Sequence, residues 1–348
     1  MSQKIIFHVG TSKTATTSIQ HVLMDNRVRL LRAFSLYYPF SARLAKKVEA
    51  RRSAGELYLG GGNFNKKIIK AFKSSELEIA EKLLSSELHQ VSQKGANTTL
   101  YSGEALLALG QSLEACELFS KVAERFFDQV EIVCCVRPPL DHTSSRYCEY
   151  VKRRTETRSF NDCFNEIVLD FSSRLNYYAQ AFGENNIKIL PYEDSRKESI
   201  LKRFFAHIDR RLLCDETIHS SIDASRRNRS LSPLECEAIR HINRVLIGYG
   251  LNRVQFVKAY NSYMEKFAKD MLRRYFYVSG SALSRFEDLI REPLLMFNNQ
   301  FQTFIPASSV RFREGMLSAS HEFSAQEKSR IYAVAWRVLH ELSASLKA

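Results

Sequence analysis

Apolar and polar positions divide the chain into alternating strand-like and helix-like stretches. "KIIFHV" (4–9) is a nearly continuous apolar run, the pattern of a strand buried on both faces. From Thr16 to Met24 the apolar residues recur at helical spacing. Helical spacing returns between Glu76 and Gln90, where Leu77, Ala80, Leu83, Leu84 and Leu88 share one stripe. "NTTLYSGEALLAL" then predicts a short strand ending near Tyr101, a Ser-Gly turn and a helix starting around Glu104. Another helix fits 114–127, followed by the strongest strand, "VEIVCCV" (130–136). A long helix near 160–182 precedes a fourth strand, "NIKILPY" (186–192). From about 196 onward the pattern is mostly helical, broken by the basic loop "SRRNRSLSP" (225–233).

This order predicts an α/β fold, a central parallel sheet flanked by helices, with a helix-rich C-terminal region packed on it as a cap. The α/β domain is expected over 1–250 and the helical extension over 251–348. Residues 25–75 form an expected insertion containing the basic run "RLAKKVEARR" and the glycine-rich "GELYLGGGNFNKK". That insertion shapes an acceptor site on one reading and is a solvated basic face on the other.

Composition narrows the class. With 348 residues, 45% of them hydrophobic, the chain can bury a large core. No apolar run approaches the roughly 20 residues of a membrane span. Strand-like "IIFHV" begins by residue 5, which leaves no room for a secretory-signal layout, so a soluble, cytoplasmic protein is expected. The seven cysteines show neither a disulfide framework nor paired metal-ligand spacing, and no metal is expected. Cys134 and Cys135, inside the strongest strand, are expected to be small buried hydrophobes. A net charge of +13 favours anionic partners: nucleic acid, nucleotide phosphates or acidic glycans. The basic residues are scattered and form no recognition motif for nucleic acid, which disfavours the first.

The chemistry concentrates where the first strand turns into the first helix, at "GTSKTATT" (10–17). Such a turn gathers free backbone N–H groups and the positive end of the helix dipole in one place, which suits an anion. Lys13 adds a full charge, and Thr14, Thr16, Thr17 and Ser18 add hydroxyl donors. The bland alternative is a threonine-rich N-cap, since Ser and Thr favour helix starts in any case. The loop is not the NTP-binding motif, because Lys13 follows Gly10 by only three positions and no glycine precedes the lysine. A dinucleotide G-x-G-x-x-G is also absent.

A second cluster follows the strongest strand, at "VRPPLDHTSSRY" (136–147). The strand ends on Arg137, two prolines force a turn, and Ser145 and Tyr147 fall on the predicted helix. At the carboxyl edge of a parallel sheet an arginine points at the ligand crevice, and with a hydroxyl it can bracket a phosphate.

Together the two segments resemble the sulfotransferases that use 3′-phosphoadenosine 5′-phosphosulfate. "GTSKTATTSIQ" is similar to that family's 5′-phosphosulfate loop, and "RPPLDHTSSRY" to its 3′-phosphate segment. In the latter Arg137, Pro139, Ser145 and Tyr147 satisfy each spacing. "RRNRSLSPLECEAIRHIN" (226–243) is similar to a stretch before a helix in bacterial members. The resemblance implies a P-loop-like fold, 3′-phosphoadenosine 5′-phosphosulfate as cosubstrate and 3′,5′-adenosine bisphosphate as product. It assigns Gly10, Thr11, Ser12, Lys13, Thr14, Ala15, Thr16 and Thr17 to the 5′-phosphosulfate, and Arg137 and Ser145 to the 3′-phosphate. Arg226 or Arg227 would close over the nucleotide. One departure is Ala15, where the family usually carries glycine; alanine there is harmless if it lies in the first helical turn, and that placement is expected.

Lys13 is the expected catalytic cation, and the acceptor hydroxyl needs a general base. Glu104 is the leading candidate and also a good first-turn residue for its helix. His142 is the runner-up base and equally a solvated helix start. His8, within the first strand, is expected to be a packed core residue. The acceptor is expected to be a glycan, a lipid or another small hydroxyl compound. A P-loop kinase and a nucleotide-binding scaffold without turnover are the alternatives.

Overall fold

Four predicted strands and one unpredicted strand pair in a single all-parallel sheet of order β2-β3-β1-β4-β5 in the computed structural model. The structure describes residues 2–40, 62–163, 172–192, 199–224, 233–248 and 280–307, with isolated positions between 325 and 340. The strands are β1 (Lys4–His8), β2 (Leu36–Tyr37), β3 (Thr98–Ser102), β4 (Gln129–Val136) and β5 (Ile187–Pro191). The helices in chain order are α1 (Thr16–Asp25), α2 (Arg27–Phe34), α3 (Lys66–Lys73), α4 (Leu77–Ser92), α5 (Leu113–Glu124) and α6 (Pro139–Arg154). Then come α7 (Phe160–Cys163), α8 (Ser172–Phe182), α9 (Ile200–Ile208), α10 (Arg211–Cys214), α11 (Glu216–Ala224), α12 (Pro233–Gly248) and α13 (Gly280–Gln300). Glu104–Gln111 is a 3-10 helix rather than an α-helix. Among the described residues no helix is long and apolar enough to cross a membrane.

The chain divides into two compact units. One comprises Met1–Arg137, Asp170–Arg227 and Pro293–Ile305; the other comprises Pro138–Leu169, Asn228–Glu292 and Pro306–Ala348.

The first unit holds the sheet. Successive side chains of β1 point to opposite faces, so the apolar run must be buried twice. On one face Phe7 and Tyr101 stack at 5.8 Å, and Phe119 of α5 tilts against Phe7 at 4.6 Å. Phe182 of α8 meets Phe119 edge-on at 5.5 Å. On the other face Ile6, Leu100, Val133 and Cys135 pack with Ile19 and Leu23 of α1 and with Phe204 and Phe205 of α9. Each such side chain removed from water contributes about 1.5–3 kcal/mol, which is why the sheet anchors the fold. Cys134 and Cys135 are fully buried, and burial pushes the Cys134 thiol up to about 12. They are packing residues, as their strand context implies.

The register places the chemistry. His8 is level with Ser102 of β3 on one side and Val133 of β4 on the other. The carboxyl ends of all three strands therefore open at one edge, where the segments after β1, β3 and β4 emerge together.

In the second unit α6 packs with α12. Asn243 donates to the carbonyls of Val151 (2.9 Å) and Glu156 (3.0 Å), and Arg240 pairs with Glu237. Buried Cys148 and Cys236 bring their sulfurs to 3.4 Å.

Candidate functional site

The turn after β1 is tied to β4 before it reaches α1. Thr11 donates twice to the carbonyl of Cys135, from its backbone N–H (3.3 Å) and from its hydroxyl (3.1 Å). Val9 N–H donates to the carbonyl of Val133 at 2.9 Å. The Thr14 hydroxyl donates back to the Thr11 carbonyl at 2.6 Å, closing the loop on itself. Thr11, Thr14 and Thr16 are buried, while Ser12, Lys13 and Thr17 are half-buried.

Two residues of this short loop hold left-handed backbone: Lys13 at φ 68° and Ala15 at φ 64°. Alternation of handedness around Thr14 is the backbone pattern that can turn successive N–H groups to one side and cradle an anion. It also stores strain, since a non-glycine residue in that region costs about 1–2 kcal/mol. The expectation that Ala15 lies in the first helical turn is therefore overturned. Ala15 is the residue before the helix, and its methyl group sits in a conformation that glycine adopts without penalty.

The same placement excludes the threonine N-cap. The capping position of α1 belongs to Ala15, which has no side-chain acceptor, and α1 starts without a side-chain cap or an acidic residue in its first turn. The hydroxyls of Thr11 and Thr14 serve backbone carbonyls instead. The Thr16 hydroxyl is buried without a hydrogen-bond partner. An uncapped helix start preceded by a turn with left-handed residues at 13 and 15 leaves backbone N–H groups open to an anion.

Gly10 has a different reason to be glycine. A Cβ there would stand 3.0 Å from His8 Nε2 and 3.0 Å from Thr16 Oγ1. His8 Nδ1 meets Ser102 Oγ at 2.8 Å, and Gln20 of α1 donates to Ser102 O (3.2 Å) and Oγ (3.4 Å). Burial pulls the His8 imidazole down to about 3, so the ring is neutral at ordinary pH.

Arg137 follows β4 directly and is half-buried. Its guanidinium lies 4.3 Å from the centre of the Tyr192 ring, and Tyr192 N–H is bonded to the Val136 carbonyl at 2.7 Å. The ring at the end of β5 thus acts as a shelf that orients the cation. Because Thr11 hangs on Cys135, two residues before Arg137, the loop and the arginine share one sheet edge.

Glu104 opens the 3-10 helix after β3 and is exposed. Gly103 N–H donates to the His8 carbonyl at 3.0 Å, so Glu104 emerges at the same carboxyl edge, one strand away from the loop. A stretch of the predicted insertion also reaches this edge. Ser102 N–H donates to Asn63 Oδ1 at 2.8 Å, and Asn63 Nδ2 donates to the Leu100 carbonyl at 3.2 Å. A Cβ on Gly62 would stand 1.9 Å from the Ser102 carbonyl, so only glycine allows this approach.

Ser145 and His142 lie on α6, in the second unit, and each is described there alone. Ser145 is half-buried. His142 is 3% exposed, so it is not on a solvated helix start. The Tyr147 hydroxyl donates to the Arg158 carbonyl at 2.9 Å within a fully buried setting, which makes Tyr147 a packing residue of that unit. Arg226 and Arg227 lie outside the described residues, as do 41–61 of the predicted insertion.

Sequence reasoning passed over Gln20, Asn63 and Tyr192, and took His8 for core alone. Gln20 had a legible signal, lying one helical turn after Thr16 on the same face. Tyr192 and Asn63 had none, because only the folded chain brings them to Arg137 and Ser102.

No family model matches the chain, and no curated protein matches it. Among solved structures, a sulfotransferase from Alicyclobacillus acidocaldarius aligns at 10% sequence identity with a TM-score of 0.35, over 87% of this chain and 98% of that one.

Proposed function

We propose that the chain is a sulfotransferase that moves a sulfuryl group from 3′-phosphoadenosine 5′-phosphosulfate to a hydroxyl acceptor. The observation that carries this reading is the loop itself. An uncapped helix start, a left-handed Lys13 and an arginine on the neighbouring strand end stand at one sheet edge, in the segments whose sequences resemble the two phosphate motifs. The donor set suits a nucleotide bisphosphate: backbone N–H groups and Thr16 and Thr17 hydroxyls for one phosphate and Arg137 for the other, to which the sequence resemblance adds Ser145.

The nucleotide brings the activated sulfuryl group; the new bond forms from sulfur to the acceptor oxygen as the bond to the bridging phosphate oxygen breaks. Transfers of this kind are governed by positioning and by stabilising charge on the leaving oxygen. Lys13 takes that role, its ammonium offsetting negative charge on the leaving oxygen. Glu104 accepts the proton that the acceptor hydroxyl loses. Neither role requires a metal. The acceptor is a glycan, a lipid or another hydroxyl compound, and Gly62 and Asn63 bring part of the predicted acceptor insertion to the same edge.

Calorimetric titration tests the reading. The 3′-phosphate should add about 1.5–3 kcal/mol of charge-assisted hydrogen bonding, roughly a tenfold to hundredfold preference for 3′,5′-adenosine bisphosphate over ADP. Arg137→Ala should abolish that preference. Equal affinity for the two nucleotides, or tighter binding of magnesium-ATP, refutes the assignment.

A further inference from the structure

We propose that His8, with Thr16, forms a neutral donor pair beneath the loop that takes one oxygen of the bound phosphate. The proposal rests on the phosphate-binding part of the reading above and adds a ligand that neither motif contains.

The first support is two orphaned atoms beside Gly10. His8 is fully buried and Thr16 is 2% exposed, yet His8 Nε2 and Thr16 Oγ1 have no hydrogen-bond partner among the described residues. Each stands 3.0 Å from the position a Gly10 Cβ would take, hence within twice that distance of the other. A buried polar group left unpaired costs about 1–3 kcal/mol, so two such atoms beside the same glycine point to a partner that the described residues do not supply.

The second support is proton accounting. Gln20 Nε2 is anchored on the Ser102 carbonyl and also donates to Ser102 Oγ. If His8 Nδ1 carried the proton it too would donate to Ser102 Oγ, leaving the serine proton without an acceptor. With Ser102 O–H donating to Nδ1 at 2.8 Å, the Gln20 amide, the Ser102 hydroxyl and Nδ1 are each satisfied. The imidazole proton then resides on Nε2, the atom beside Gly10. Gln20, Ser102 and His8 thus form a directed relay that ends in an N–H donor beside Gly10, where the loop begins.

The third support is the ring's rigidity. Phe204 tilts against His8 at 4.8 Å between ring centres, and the strand register holds Ser102 level with it. The donor is placed before any ligand arrives, so little ordering cost accompanies its use. Because the imidazole stays neutral, it supplies direction without adding charge to that of Lys13.

The test combines a spectroscopic reading with two variants of the full chain. Nitrogen-15 NMR of labelled histidine should show the Nε2–H tautomer for His8, and its Nε2 proton should shift when 3′,5′-adenosine bisphosphate, ADP or pyrophosphate binds. His8→Asn keeps an amide near the Nδ1 position but loses the donor beside Gly10, and should weaken phosphate binding about tenfold to hundredfold. His8→Gln restores a donor near Nε2 and should bind within a few-fold of the parent chain. An Nδ1–H tautomer, a ring signal unmoved by a nucleotide that binds, or equal affinity of the parent and His8→Asn overturns the proposal. If His8→Asn does not fold, the tautomer and ligand shift in the unaltered chain still decide. The two readings fail separately. Loss of the bisphosphate preference with an intact His8 response removes the sulfotransferase assignment alone, whereas a bisphosphate preference with a silent His8 removes only this inference. Failure of all three phosphates to bind removes both.

Discussion

Thr11 spends both of its donors on one acceptor, the carbonyl of Cys135. That double bond of loop to strand sets the distance between the turn after β1 and Arg137 two residues farther along β4. Thr11→Val keeps the shape and the backbone bond but removes the hydroxyl donor. It should lower the unfolding free energy by about 0.5–1.5 kcal/mol and weaken nucleotide binding, measured by denaturant titration and calorimetry. Unchanged binding would mean that the backbone bond alone holds the loop.

Lys13→Ala separates binding from turnover. A cation acting on charge that develops only in the transition state is worth roughly 10²–10³ in rate. Sulfuryl transfer should fall by that factor while affinity for 3′,5′-adenosine bisphosphate falls much less. A parallel loss of both would place Lys13 in ground-state binding.

Glu104→Gln tests the base on a verified acceptor, found by screening glycans, lipids and phenols. Removing a general base costs roughly 10²–10⁴ in turnover, and nucleotide affinity should be untouched. Near-full turnover would leave Glu104 as a helix-start residue and pass the role to His142.

Ala15→Gly should stabilise the chain. Relief of the left-handed conformation is worth about 1–2 kcal/mol, and glycine's extra freedom in the unfolded chain takes back about 0.5–1 kcal/mol. The net gain, on the order of 0.5–1 kcal/mol, should raise the denaturation midpoint without changing the fold. A loss instead would show that the Ala15 methyl, which packs against the core under α1, outweighs the strain.

Acid should destabilise the protein before its carboxylates protonate. The folded His8 is held near 3 by burial while the unfolded histidine titrates at 6.5, so below pH 6.5 only the unfolded chain takes up this proton. Stability therefore falls with pH at up to about 1.4 kcal/mol per unit from this one group. His241, also lowered by burial and by Arg240 and Arg244, adds a slope of the same sign. Carboxyls such as Asp209, held down by its hydrogen bond from Arg211, act only at lower pH. His8→Gln should flatten the decline between about pH 6.5 and 4.5. An unaltered slope would mean that the buried ring is not the group responsible.

The sequence by itself determined the parallel sheet and pointed to the edge where the chemistry is proposed. Doubly buried strands read as continuous apolar runs, so β1 and β4 were legible within a residue or two, and the helices at Thr16 and Leu77 followed from their spacing. Glycine, lysine and hydroxyls between β1 and α1 suggested the proposed anion site because strand–turn–helix is local, and so did Arg137 at a strand end. Other features needed the folded chain. β2 has two residues, too few for any period, and exists only because β3 pairs with it. The left-handed Ala15 reflects where the loop must go between β4 and α1, a constraint that no single side chain encodes. His8 looked like core and is core; that its second nitrogen emerges beside Gly10 depends on Ser102, 94 residues away, and on Gln20. Local pattern records which segments are strands and turns, whereas strand pairing decides which distant donors come together, and the proposed site depends on that.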